Sequence, residues 1–354
     1  MIRFLLVAMI LVIFVFRQPL EPLAKQSIAS LENQWIMMQQ NLNGNQGFLA
    51  LEEKIVSLMK MLGLDHLDGN SLNQQLDQVM EAIGQQVGDQ RLLHGLHIRR
   101  LPFKEGQGNH VTAGSESIQV SSGDPGVSQK EVQTAAHMIQ TISLPILREN
   151  VSAPVQPSHV VLFSSKAAYA KALEDAGIQN DLVKHIVEKT GGITVGSDVW
   201  IPLYALQSNG DLANVLTHEL THVVLNQKGI GDHIPDWLNE GIAWHDGMLA
   251  LQNIQPRTAK QETALMNRQI RLVAQQGELL PLTVDEQGIL QAHYNVEWED
   301  FLAVENLIQQ GGIEKFRAFL EDTVKDGVDQ SFLNQYQMSI KTYENQFYQT
   351  LNKG

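Results

Sequence analysis

The sequence VLTHELTHVVLNQ, residues 215–227, constrains the chain most strongly, because it places two histidines four residues apart in an apolar setting. Apolar residues recur through it at helical spacing, and Ser208 before it and Gly229 after it are typical of a helix start and a helix stop. On such a helix His218 and His222 lie on one face, one turn apart. The segment therefore predicts a capped helix that presents two imidazoles to one point.

Two imidazoles in this arrangement suit a zinc ion, which binds histidine nitrogens at about 2.0–2.1 Å. Glu219, between them in sequence, would flank the metal and is predicted to act as general base on a zinc-activated water. The chain has 12 histidines, so this spacing can also arise by chance. The alternative is an ordinary core helix with two histidines that bind no metal. A metal site needs at least one more protein ligand, and that ligand decides between the two interpretations.

The segment IPDWLNEGIAWHDG, residues 234–247, offers the third ligand in Glu240, 18 residues after His222. Two glycines and a proline lie between them, so the first helix can end and a second helix can return past it. Two histidines and a glutamate leave a fourth position open for water, which is the arrangement of a catalytic zinc site. His233 and His245 are the competing third ligands.

HELTHVV followed by PDWLNEGIAWH resembles the gluzincin metallopeptidases, and more narrowly the peptidase MA-like family, bacterial relatives of thermolysin and the zinc aminopeptidases. The family pattern is H-E-x-x-H and then W-L-x-E-G-x-A, matched here by His218, Glu219, His222, Trp237, Leu238, Glu240, Gly241 and Ala243. The resemblance covers roughly residues 115–351. It implies zinc, one ion per chain, on His218, His222 and Glu240, with Glu219 as the base and a peptide or protein as substrate.

The resemblance also implies a tyrosine or histidine that stabilises the oxyanion, for which Tyr294 is the candidate and His293 the rival. Thermolysin has an aspartate four residues after the ligand glutamate, which orients a ligand histidine, whereas this chain has Trp244 there. A carboxylate that takes over this role is expected at Asp246 or Asp211.

Strand patterns precede helix patterns in the second part of the chain, and this order predicts an α+β domain over residues 106–354. The resemblance implies a zincin-like domain with a small mixed sheet and a helical C-terminal half. The expected strands are at 117–122, 157–165 and 191–203, and the expected helices at 128–150, 166–176, 179–189 and almost throughout from 208. The Gly-rich stretch 104–116 indicates a linker. Gluzincins pair an edge strand with an extended substrate, and residues 197–201 are assigned that role.

The N-terminal residues 1–19 contain an apolar run at 4–16 preceded by Arg3, typical of a membrane anchor or a signal segment. An uncleaved anchor would give a single-pass protein of the cell membrane with an extracytoplasmic catalytic domain, and a cleaved signal would give a secreted protein. A buried core helix is the remaining alternative. Residues 20–105 carry short apolar stripes that predict a helical stalk or bundle, or else a scaffold for a membrane partner.

Composition excludes several classes of function. The net charge is −14, with 25 Lys and Arg against 39 Asp and Glu, which argues against a nucleic-acid partner. The absence of cysteine excludes disulfides, thiolate ligands and a cysteine nucleophile. No G-x-M-E-N segment precedes the histidine helix, which favours an endopeptidase over an aminopeptidase. The alternative from another class is a catalytically inactive or regulatory binding module on a gluzincin fold, and the oligomeric state is left open.

Overall fold

Helices make up most of the described chain and pack on both faces of a small sheet. The computed structural model describes residues 110–113, 118–178, 180–195, 197–284 and 292–352. The strands are β1 (His110–Ala113), β2 (Ile118–Ser122), β3 (Ser158–Phe163), β4 (Ile193–Val195) and β5 (Asp198–Pro202). The helices are α1 (Gln129–Met138), a π-helical segment (Ile139–Ser143), α2 (Leu144–Asn150), α3 (Lys166–Asp175), α4 (Asn180–Lys189), α5 (Asn209–Gln227), α6 (Asp236–Ile254), α7 (Pro256–Gln276), α8 (Val296–Gly311), α9 (Ile313–Asp326), α10 (Val328–Tyr336) and α11 (Ile340–Asn352).

The predictions for residues 1–19 and 20–105 lie outside the described residues. Within the described ranges, no helix combines the length and the apolar character that crossing a bilayer requires. The membrane segment, the stalk and the domain boundaries therefore stay predictions.

The five described strands form one mixed sheet in the order β1-β2-β3-β5-β4. β3 is parallel to both β2 and β5, whereas β1 and β4 are antiparallel strands at the two edges. All five described strands lie before residue 203, and most of the described residues after 208 are helical. The described part is thus a mixed α+β fold with a small mixed sheet, as predicted.

Two assignments made from the sequence are wrong. The linker predicted at 104–116 fails at 110–113, because these residues pair with β2 and form β1. Whether such a segment forms an edge strand depends on its pairing with a neighbouring strand rather than on its local composition. Residues 197–201 are not an edge strand, because β5 lies between β3 and β4. The chain reverses between β4 and β5, so the preceding residues 193–195 form the edge instead.

The two faces of the sheet pack against different helices. Val199 of β5 belongs to the core that contains Leu216 of α5, whereas Trp200 packs with Tyr169 of α3 on the opposite face. Side chains alternate along a strand, and Thr194 of β4 pairs with Val199. Thr194 therefore lies on the face that meets α5.

Helix α5 begins and ends where its sequence signals predict. The Ser208 Oγ accepts a hydrogen bond from the Asp211 backbone N–H at 3.1 Å, an N-cap that contributes about 1 kcal/mol. Gly229 follows the helix with a φ of 69°. Helix α6 then returns along α5 and packs closely on α8. The approach is so close that a Cβ at Gly241 would lie 2.6 Å from the Asp300 carbonyl oxygen. The glycine after Glu240 thus permits the approach that fixes α6.

The helix predicted at 128–150 is continuous but contains the π-helical segment. Pro145 has no N–H to bond the carbonyl of Thr141, so the turn before it widens. The Ser143 Oγ in this segment lies 2.8 Å from the Oγ1 of Thr217, the residue before His218. The segment is therefore tied to α5 beside its first histidine.

Candidate metal centre

Helices α5 and α6 bring His218, His222 and Glu240 together in a buried cluster that could hold a metal ion. The two Nε2 atoms lie 3.2 Å apart, and the Glu240 Oε2 lies 3.5 Å from each of them. Ligand atoms of a tetrahedral zinc ion with bonds of about 2.0–2.1 Å lie about 3.3 Å from one another. The three atoms therefore have the spacing of three corners of a tetrahedron. The three residues that the sequence predicted as ligands fit a metal ion.

The amide of Asn239 fixes the orientation of the second histidine. The His222 Nδ1 lies 2.9 Å from the Asn239 Oδ1. An amide oxygen accepts hydrogen bonds and donates none, so the Nδ1 carries the proton and the Nε2 of the neutral ring keeps its lone pair for a metal. The role of Asn239 was not predicted from the sequence. Its signal was its position, directly before the ligand Glu240 in the same helix.

The two carboxylates expected to orient a ligand have other partners. The Asp246 Oδ1 accepts a hydrogen bond from the Asn150 Nδ2 at 2.6 Å, and its Oδ2 lies 2.9 Å from the Thr221 Oγ1. Burial raises the pKa of Asp246 to about 6, although its neighbours favour the charged form. Asp211 lies in the first turn of α5 and accepts a backbone hydrogen bond there. An amide rather than either carboxylate therefore orients the second ligand histidine.

Trp244 occupies the position at which thermolysin has an aspartate, and it contacts the first histidine through its ring. The ring centroids of Trp244 and His218 are 5.7 Å apart, with an interplanar angle of 86°. The Trp244 Nε1–H donates to the Glu297 Oε2 at 2.9 Å, and Glu297 is buried. His218 is thus packed against an aromatic ring that is itself held by a hydrogen bond.

Glu219 lies beside the cluster and faces the sheet. The residue is completely buried. Its Oε2 accepts a hydrogen bond from the Oγ1 of Thr194 at 2.7 Å. The predicted base therefore projects from α5 onto the edge strand β4. It is adjacent in sequence to His218, the first candidate ligand.

The cluster carries an excess of negative charge that favours a cation. Burial works against the charged form of the His222 ring, but the carboxylates of Glu240 and Glu219 outweigh it and raise the pKa of His222 to about 9. A metal ion that binds here must displace this proton. The carboxylates that favour a protonated imidazole equally favour a divalent cation in its place.

The rival ligands His233 and His245 lie outside the cluster. The His233 Nδ1–H donates to the Gly229 carbonyl at 2.7 Å. The His245 Nδ1 pairs with Glu305 of α8. Burial works against the charged form of His245, but the bond to Glu305 and the charge of a neighbouring aspartate outweigh it and raise the pKa of His245. Neither of these alternatives to Glu240 belongs to the cluster.

The candidate oxyanion residues have defined partners in the C-terminal half. The Tyr294 hydroxyl donates to the Glu299 Oε2 at 2.5 Å and accepts from the Leu280 backbone N–H at 2.9 Å. The rival His293 pairs with Glu278 at 2.7 Å on the surface. The catalytic role of Tyr294 stays a prediction.

A groove of about 910 Å³ lies between α6, α7 and α8. His245, Met248 and Phe301 line it, together with the cations Lys260 and Arg268. Its described lining includes neither Glu219 nor any of the three candidate ligands. The groove is therefore separate from the metal centre.

Comparison of the chain with protein-family models gives no match, and comparison with curated proteins gives none either. The chemical interpretation of this centre therefore depends on its own geometry, on the spacing of its ligand atoms and on the residues that orient them.

Proposed function

We propose that the protein is a zinc-dependent metallopeptidase of gluzincin type, with an endopeptidase activity on peptide or protein substrates. The spacing of His218, His222 and Glu240 carries the proposal. Their atoms lie 3.2–3.5 Å apart, which fits a tetrahedral zinc better than an octahedral metal, whose neighbouring ligands would be about 3.0 Å apart. Three protein ligands leave the fourth position for water or substrate, and a buried carboxylate beside them suits catalysis rather than a purely structural site.

A bound zinc ion would polarise the scissile carbonyl and lower the pKa of a coordinated water towards about 7. His218 and His222 would hold the ion through their Nε2 atoms, and Glu240 would hold it through Oε2. The Glu219 carboxylate takes the proton from the attacking water and then donates it to the nitrogen of the leaving amine. Asn239 keeps His222 in the tautomer that can bind the ion.

The edge strand β4 is the proposed site for the substrate backbone. An extended peptide that adds to this edge by main-chain hydrogen bonds would run beside α5. Thr194 of β4 bonds Glu219 directly, so a peptide on this edge would pass the base. Residues 193–195 thus replace 197–201 in the substrate role. The N-terminal segment would place this activity outside the cytoplasm, at the cell membrane or in secreted form.

A regulatory binding module on the same fold is the second candidate. The hydroxyl of Tyr294, the residue expected to stabilise the oxyanion, is engaged by Glu299 and the Leu280 N–H. A chain that retained the zinc ligands without an oxyanion donor would bind peptides and turn them over slowly or not at all. Chelator-sensitive cleavage of a denatured-protein library by the wild-type chain separates the two candidates.

The decisive variants are Glu219→Gln and His222→Ala. Glu219→Gln should keep zinc at one ion per chain and lose hydrolysis, by about 10²–10⁴-fold or more, because the amide cannot take the proton. His222→Ala should greatly weaken zinc binding and lose hydrolysis. Glu305→Gln is the matched control, since it changes a glutamate outside the cluster and should keep both. Cleavage by zinc-loaded Glu219→Gln at the wild-type rate contradicts the mechanism, and zinc without cleavage in the wild type supports the binding module.

A further inference from the structure

The Glu219 carboxylate is held from one side by the short strand β4. Thr194 lies at the centre of this strand on the face that meets α5. Its Oγ1 is 2.7 Å from the Glu219 Oε2 and 3.0 Å from the Glu219 backbone oxygen. A hydroxyl has a single proton, and a bond to a carboxylate is stronger than a bond to a carbonyl. The shorter contact, to Oε2, is therefore the main one.

The other carboxylate oxygen lies against Gly192, two residues earlier in the same segment. A Cβ at Gly192 would lie 3.0 Å from the Glu219 Oε1, and equally close to the side chains of Ile201 and Val215. This is closer than ordinary van der Waals contact, so a methyl group at Gly192 would press on the carboxylate as well as on these two side chains. Both oxygens of Glu219 therefore meet residues 192–194, which we call the clasp.

We propose that the clasp fixes the orientation of the Glu219 carboxylate, with Thr194 as its positioning residue. The catalytic consequence rests on the proposed function. A glutamate side chain has three torsions, and a general base works only within hydrogen-bond reach of the proton that it takes. Because residues 193 and 194 of the clasp belong to the edge strand proposed to pair with substrate, the same backbone sets the position of the base relative to the bound peptide.

Kinetics of the full-length, zinc-loaded chain test the positioning role. Thr194→Val keeps the shape of the side chain but removes the hydroxyl, and should lower kcat about 10–100-fold with KM and zinc content unchanged. Thr194→Ser restores the hydroxyl and should stay within about threefold of wild type. Gly192→Ala keeps the hydroxyl but displaces the carboxylate, and should also lower kcat.

The matched control is Thr190→Val. This variant removes a nearby buried hydroxyl that donates to the Ile186 carbonyl at 2.9 Å, and it should leave kcat unchanged. Equal losses of kcat in Thr190→Val and Thr194→Val would overturn the positioning role, because a general weakening of the fold would then explain both.

A double-mutant cycle on the metal-free chain gives a readout that needs no activity. Thr194→Val, Glu219→Ala and the double variant are unfolded in urea after chelation. The hydrogen bond predicts a coupling of about tenfold in the unfolding equilibrium constant between the two sites. Additive effects would overturn the clasp whether or not the chain is a peptidase. Coupling with unchanged kcat in Thr194→Val would overturn its catalytic role, and zinc-loaded wild type without hydrolysis would overturn the proposed function alone.

Discussion

Helix α6 contributes to two histidine–carboxylate groups, one buried and one partly exposed, that differ in what they can hold. Towards α5, the Glu240 Oε2 meets two imidazole nitrogens at 3.5 Å each, and Asn239 orients one of the rings. Towards α8, His245 meets the single carboxylate of Glu305 at the groove. The second group is a single ion pair, whereas the first brings three potential ligand atoms close enough to share one ion. The candidate metal site therefore differs from the second group in the convergence of three ligand atoms and in the fixed tautomer of His222, not in the mere proximity of a histidine and a carboxylate.

Removing one histidine from each group should give the largest contrast. His222→Ala should weaken zinc binding by about a thousandfold, because one of three ligands is lost from a site whose binding energy is shared among them. His245→Ala should keep zinc affinity close to that of wild type. Competition titration with a chromogenic chelator measures both. Equal losses in the two variants would show that the ion does not sit where the three atoms converge.

The two groups should also differ in how pH affects them. The raised pKa of His222, about 9, means that zinc displaces a proton at neutral pH, so affinity should weaken about tenfold per unit and about a hundredfold from pH 8 to pH 6. A flat profile would contradict this proton displacement. His245→Ala should keep the slope.

The stability of the metal-free chain should fall as pH rises, whereas zinc affinity should increase. The folded pKa of His222, about 9, lies above its unfolded value of about 6.5, so the protonated ring stabilises the fold fully below pH 6.5. This contribution, up to about 3 kcal/mol, is lost as pH rises towards 9. Urea unfolding after chelation, at pH 6 and pH 9, measures it. Stability that rises over this interval would contradict the sign.

Loss of the amide that orients the cluster should have an intermediate effect. Asn239→Ala should weaken zinc binding about 10–100-fold, since such partners fix the tautomer and direction of a ligand histidine. Asn239→Asp keeps an acceptor for the Nδ1–H and should recover most of the affinity. Isothermal titration of the wild type and the two variants measures the three zinc affinities. Equal affinity in wild type and Asn239→Ala would show that Asn239 does not orient a metal ligand.

The smallest effect is expected from Glu305→Gln in the other group. The Glu305 side chain is 31% exposed, so its pair with His245 is partly screened by water, and its loss should cost less than about 1 kcal/mol of stability. Zinc affinity should not change. Thermal unfolding and zinc titration of the same sample separate these two outcomes. A loss of zinc affinity here would mean that the two groups are coupled through α6.

The parts of the site that lie close together in sequence could be predicted, and those that depend on packing could not. The bounds of α5 follow from the Ser208 cap and the Gly229 stop, and Glu240 follows from its spacing after the histidines. Asn239 could not be assigned, because its role depends on how α5 and α6 lie side by side. Thr194 lies 25 residues before Glu219 and reaches it only because β4 folds back on β5.

The strand assignments show the same limit. The residues near 191–203 have the texture of a hairpin, and a hairpin forms there. The residue types of this segment do not show which of its two strands lies at the edge of the sheet. That depends on the pairing of β5 with β3, and the position of β3 depends on the packing of the whole sheet. Short strands such as β1 are set by pairing, which local composition does not encode.

The burial of the cluster also bears on how quickly an ion can come and go. His218 is 5% exposed, His222 is 4% exposed and Glu240 is not exposed at all. An ion that leaves must part from three buried side chains on α5 and α6, so its release should be fast only when these helices open locally. A chelator added to the folded protein would then act at the pace of that opening. An ion captured while the chain folds would persist through purification. The fraction of chains that hold an ion would then depend on the metal available when the chain folded.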